Sequence, residues 1–200
     1  MLRGRAFYSQ RPHQSHIMTD QEFIDSQDYS HAYTTPKIHV ERLYKEVVER
    51  RPRKILELGT FQGLTAVVMA RAQASVIMPD VHTVDLNDQV SKEAQISYIM
   101  EYEPLSNSIR LHPEMKSIDF LRRVKQDTYD LIFHDSVHAF QAIPEYFLAW
   151  NSLPPDGTLI IHDWNQVQRW SSYFKEAFGI DHIELCPSEC GRILAILQKP

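Results

Sequence analysis

Two short runs of this 200-residue chain break off into the same pair of residues. In DLIFHDSVH (130–138), Leu131-Ile132-Phe133 gives way to His134-Asp135; in TLIIHDW (158–164), Leu159-Ile160-Ile161 gives way to His162-Asp163. Apolar runs this short, bounded by polar residues, read as buried strands. Two strands with the same ending bring two carboxylates to one edge of a sheet. A pair of hard oxygen ligands, completed by water and substrate hydroxyls, suits Mg²⁺ or a similar divalent ion, which would acidify an alcohol and hold it for reaction. Asp135 and Asp163 also precede helix-like segments, where an aspartate serves equally well as an N-cap. The sequence leaves both readings open. His138, three residues after Asp135, titrates near neutrality and could accept a hydroxyl proton, or simply stand at a helix start. His134 and His162 are expected to hydrogen-bond backbone at the sheet edge.

A second constellation lies earlier. The run KILEL (54–58) leads into Glu57-Leu58-Gly59-Thr60-Phe61-Gln62-Gly63, and a helix follows from about Leu64. Gly59 and Gly63 let the backbone turn tightly and approach a ligand closely. Their spacing is G-x-x-x-G rather than the dinucleotide G-x-G-x-x-G. Asp85 closes the next apolar run, where a carboxylate can accept bonds from both hydroxyls of a ribose. A tight turn in some other doubly wound fold would use the same glycines.

These residues need a scaffold, and the pattern supplies one. Strand-like runs at 54–58, 82–86, 108–112, 130–134 and 158–162 alternate with helix-like segments near 62–73, 90–102, 116–125 and 139–152. Such alternation implies right-handed βαβ crossovers and a parallel sheet covered on both faces. After a helix near 166–178, runs at 182–186 and 192–198 are joined closely enough for an antiparallel pair. The prediction is therefore an α/β, Rossmann-like, doubly wound sheet of seven strands. Ligands of such sheets bind beyond the carboxyl ends of the strands, where both His-Asp pairs fall. Residues 1–36 read as a polar arm or lid with one short helix near 20–26, and Met18 could be a natural start. The domain proper is read as 37–200, opening with a helix whose apolar positions are Ile38, Leu43 and Val47.

Composition excludes some classes of function. A net charge of −5 lacks the concentrated basic face that a nucleic-acid backbone requires. No apolar run approaches a membrane span. Cys186 and Cys190 read as reduced thiols, so a cytoplasmic location is expected, with a small-molecule partner; a monomer and a homo-oligomer are both open.

ELGTFQG together with Asp85 resembles the class I S-adenosylmethionine-dependent methyltransferases. The resemblance spans about residues 36–198 and implies an antiparallel last strand. It also implies cofactor contacts at Glu57, Gly59, Thr60, Gly63, Asp85 and Asp135, with Ser117 and Met115 near the adenine. The Asp135/Asp163 spacing is similar to catechol O-methyltransferase and its relatives, which bind metal after the fourth and fifth strands. There a second acid or amide follows the fifth-strand aspartate; here Trp164 does, and Asn165 comes one later. Asp135-Ser136-Val137-His138 resembles more closely the metal-dependent methyltransferases of antibiotic sugars. That resemblance implies Asp135 and Asp163 as ligands of a divalent metal such as Mg²⁺, and His138 as general base. The expected activity is methyl transfer to a hydroxyl oxygen of a small polar acceptor. A nicotinamide-dependent oxidoreductase and a non-catalytic S-adenosylmethionine-binding module are the rivals.

Overall fold

The computed structural model describes residues 18–30, 34–87, 89–102, 104–137 and 139–200. His138 and most of the polar arm, residues 1–17 and 31–33, lie outside them. In chain order the elements are α1 (Asp20–Ser26), α2 (Lys37–Arg50), β1 (Ile55–Leu58), α3 (Leu64–Ala74), β2 (Val81–Val84), α4 (Lys92–Met100), β3 (Ile109–His112), α5 (Ser117–Leu121), β4 (Leu131–His134), α6 (Ile143–Ser152), β5 (Thr158–Ile161), α7 (Ser171–Phe178), β6 (Glu184–Pro187) and β7 (Ile193–Gln198). Short 3₁₀ turns at Ala139–Ala142, Trp164–Gln166 and Gln168–Trp170 complete the connections around β4 and β5.

The seven strands form one sheet in the order β3-β2-β1-β4-β5-β7-β6. β1 to β5 pair in parallel, while β7 runs antiparallel to both β5 and β6. The expected sheet is present, including its antiparallel last strand. Inserting β7 between β5 and β6 departs from the 3-2-1-4-5-6 order of dinucleotide-binding folds. Side chains alternate across the sheet and build two cores. Ile55, Val81, Leu131, Phe133 and Ile160 pack with α2 and α3 on one face. Leu56, Leu58, Ile132, Leu159 and Ile161 pack with α6 and α7 on the other.

Several elements differ from the sequence reading, each for a local reason. α4 starts at Lys92 because the Ser91 hydroxyl accepts from the Ala94 amide and caps it. α5 stops at Leu121, well short of residue 125; the chain then turns through Asp127 at φ 55° toward β4. The inward stripe of α2 is His39, Val40, Leu43, Glu46 and Val47, while Ile38 is exposed. The helical pattern marks the aliphatic residue, but the histidine beside it is the one that turns inward. Among the described residues, no helix is long and apolar enough to cross a membrane.

Candidate active site

The loop after β1 is held in a conformation few sequences tolerate. Gly59, Phe61 and Gly63 all have positive φ, at 95°, 47° and 101°. A Cβ on Gly59 would fall onto the backbone carbonyl of Asp135, so this glycine is what lets the β1 and β4 loops touch. Phe61 has no such freedom, and its left-handed backbone must be held by bonds. Asp85 supplies them: its Oδ2 accepts from the amides of Thr60 and Phe61, both at 2.8 Å. Its Oδ1 accepts from the Asn87 amide at 2.6 Å. On the other side, Gln95 Nε2 of α4 donates to the Phe61 carbonyl at 2.7 Å. Each carboxylate oxygen has two lone pairs, so Oδ1 of Asp85 keeps acceptor capacity for a ligand.

A cleft of about 540 Å³ opens at the carboxyl ends of the strands. Gly59, Asp85, Ser117 and Asp135 line it, so four of the expected cofactor residues meet there. Glu57, Thr60 and Gly63 stand behind the loop rather than on the cleft wall. Glu57 is fully buried on the α3 face of β1, where the Thr65 and Thr83 hydroxyls donate to it. Burial pushes its carboxyl up to about 8, although those two hydrogen bonds pull the other way. Thr60, also buried, shares a 2.5 Å hydrogen bond with Thr83. Met115 is not on the cleft wall, whereas its neighbours Lys116, Ser117 and Ile118 are.

The twin His-Asp endings resolve through strand register. β4 and β5 pair with His134 opposite Ile161, which sets Asp135 beside His162 rather than beside Asp163. His162 Nδ1 donates to Asp135 Oδ1 at 2.8 Å and stands 3.8 Å from Asp163 Oδ1. The second oxygen of Asp135 accepts from the Thr35 hydroxyl at 3.1 Å, and Arg192 Nε approaches Asp163 at 3.7 Å. Burial pushes the His162 imidazole down, but the two carboxylates outweigh it and leave the ring above its ordinary value. The expectation that His162 bonds backbone is corrected: its partner is a carboxylate, because register brings one to it. His134 is corrected likewise, since its Nε2 meets Glu145 Oε2 of α6 at 2.8 Å. Asp163, at φ 54° before its 3₁₀ turn, makes no side-chain capping bond, so the cap reading fails there.

The two aspartates do approach one another, but what lies between them is an imidazole nitrogen. Both oxygens of Asp135 accept hydrogen bonds from protein donors. Among the described residues, no group of three or more His, Cys, Asp or Glu is arranged to hold a metal ion. The divalent-metal reading thus has no support among the described residues, where the His162 N–H faces both aspartates. His138, the expected base, lies outside the described residues.

Two participants were not anticipated. Glu145 is buried, lines the cleft, and accepts from the Ser136 hydroxyl at 2.8 Å besides pairing with His134. An acid on the apolar stripe of an amphipathic helix is a signal that sequence can carry. His39 of α2 is buried, donates from Nε2 to the Cys186 carbonyl at 2.9 Å, and packs edge-on against His162 at 5.2 Å. Burial, followed by the neighbouring His162, lowers its pKa to about 4.

Comparison with known proteins agrees with this architecture. A family model described as a methyltransferase domain matches residues 56–164. A search of curated proteins finds no match. Among solved structures, the chain is similar to the O-methyltransferase TomG from Streptomyces achromogenes, involved in tomaymycin synthesis and solved with S-adenosylmethionine. The identity is 18%, the TM-score 0.66, and the overlap covers 92% of this chain and 87% of that one. An O-methyltransferase from Bacillus cereus, solved with S-adenosylhomocysteine, gives 18% identity, a TM-score of 0.63 and 84% coverage of both chains. The cofactor-bound protein Rv0187 from MTB gives 14% identity, a TM-score of 0.70, and 83% and 81% coverage. At these identities the likeness is one of fold.

Proposed function

This chain belongs to the methyltransferase-domain family, and from that premise we propose that it transfers the methyl group of S-adenosylmethionine to a hydroxyl oxygen of a small acceptor. The observation that carries the reading is the cleft itself. Its walls join the Gly59 loop, Asp85, Ser117 and Asp135 at the carboxyl edge of the sheet. A volume of this size suits a cofactor-sized ligand.

In this reading the tasks divide among the residues. The amides and close backbone of the Gly59 loop border the methionine part of the donor. Asp85 accepts from the ribose through Oδ1, while its Oδ2 keeps the loop in shape. Lys116, Ser117 and Ile118 border the adenine. Asp135, held by His162 and Thr35, marks the end of the cleft where donor and acceptor meet. Methyl transfer forms one O–C bond as the S–C bond breaks, and the acceptor's proton must leave during or before that step. Asp135 positions the acceptor hydroxyl by accepting its hydrogen bond, and His138 is the proposed base that takes the proton. Orientation of the two reactants in one cleft supplies much of the rate.

The test follows transfer of a labelled methyl group from S-adenosylmethionine across an acceptor panel. Turnover should appear, and His138→Ala should lower it by about 10²–10⁴-fold while S-adenosylhomocysteine affinity stays unchanged. Near-normal turnover in that variant would remove the base assignment.

A further inference from the structure

Glu145 is a buried acid whose partners leave half of its carboxylate to the cleft. It stands in the first turn of α6 and is only 3% exposed, yet it lines the cavity. Its Oε2 accepts two hydrogen bonds, one from the Ser136 hydroxyl and one from His134 Nε2, both at 2.8 Å. Those two donors fill the lone pairs of that oxygen and fix the plane of the group. Among the described residues, no donor reaches Oε1. A buried carboxylate oxygen without a donor is unfavourable, and a ligand in the cleft that supplies one removes the penalty.

We propose that Glu145 reads the base of the methyl donor, its Oε1 accepting from the exocyclic amine of adenine. The proposal rests on the methyl-transfer reading above and names a residue that sets donor specificity. Placement is the first argument. His134 turns its ring to the α6 side of the sheet, against Tyr146, so the next residue, Asp135, turns to the opposite side and meets His162. Glu145 therefore stands away from the carboxylate that would hold the acceptor. It shares its side with α5, which packs on α6, Leu121 and Tyr146 lying in one apolar core. Ser117, the first residue of α5, lines the same cleft and borders the adenine in the proposed reading. Chemistry is the second argument. S-adenosylmethionine offers three kinds of hydrogen-bond donor: an ammonium, two ribose hydroxyls and the amine of the base. In that reading the Gly59 loop borders the methionine part and Asp85 takes the ribose. The amine is the donor that remains for an acid beside α5.

The test compares, by calorimetry, S-adenosylhomocysteine with two analogues altered only in the base. One carries unsubstituted purine and lacks the amine; the other carries hypoxanthine, with a carbonyl in the amine's place. Wild-type protein should bind each analogue about tenfold to hundredfold more weakly, the range of one hydrogen bond to a charged acceptor. Glu145→Gln keeps the shape of the side chain. The His134 and Ser136 donors would hold its amide oxygen where Oε2 lies, which turns the amide N–H₂ toward the base. That variant should lose most of the preference for adenine over purine and gain affinity for hypoxanthine, whose carbonyl accepts. Equal wild-type affinity for the adenine and purine compounds would overturn the proposal without any variant. So would a folded Glu145→Gln protein that keeps the wild-type preferences, or one that changes only the KM of the methyl acceptor. Failure of S-adenosylhomocysteine itself to bind would instead strike the methyl-transfer reading beneath it.

Discussion

Glu57 shows how a residue beside a site can stand off its cleft. In the sequence it adjoins the glycines, and the resemblance implies a cofactor contact. The period of the strand explains why it does not line the cleft: Leu56 and Leu58 face α6 and α7, so Glu57 must face α3. There, burial pushes its carboxyl up to about 8 from an ordinary value near 4.5. The folded protein therefore holds a proton that the unfolded chain has released. Stability from this group is fully present below about pH 4.5 and is lost as pH rises toward 8, at about 1.4 kcal/mol per pH unit inside that window. Denaturation measured from pH 4 to 9 should show this decline, and Glu57→Gln should flatten it and match or exceed the wild type at pH 9. An unchanged slope would mean that Glu57 is already ionised in the fold. The His162–Asp135 pair makes a separate prediction. Because the His162 N–H faces both Asp135 and Asp163, at 2.8 and 3.8 Å, exhaustive chelation should leave methyl transfer intact. Chelator-sensitive turnover restored by Mg²⁺ would return the aspartates to the role of ligands.

At the scale of elements, the strands were more legible than what surrounds them. Apolar runs such as Leu131-Ile132-Phe133 announce a parallel strand because both faces are buried. Helix edges depend on caps and on where the chain must turn back, which is why α5 came out shorter than its pattern suggested. Register was not legible at all, since the offset that sets Asp135 beside His162 arises only when β4 meets β5. Nor was the pairing of Glu145 with His134 visible, because it needs the inward faces of α6 and β4 together. The glycine loop was legible, since Gly59 and Gly63 do occupy positive φ. Gly59 joins two elements, with its missing Cβ filled by the Asp135 backbone. Gly59→Ala should therefore cost about 2–5 kcal/mol, from overpacking together with the left-handed backbone. A variant with wild-type thermal stability and cofactor affinity would show that the two loops do not meet as described.

For the molecule as a whole, one mixed sheet sets a cleft at its carboxyl edge and hangs the parts of the site from separate strands. In the proposed reading the donor side depends on the loops after β1, β2 and β3, and the acceptor side on those after β4 and β5, which also carry the exposed Phe140 and Trp170. If this cleft is a methyl-donor site, calorimetry with S-adenosylhomocysteine will register the ligand. One molecule should bind per chain at micromolar affinity. Asp85→Ala should weaken it by about 1.5–3 kcal/mol, the scale of hydrogen bonds to a charged acceptor. Folded wild-type protein that gives no binding heat, or an Asp85→Ala variant that binds as tightly as the wild type, would contradict it.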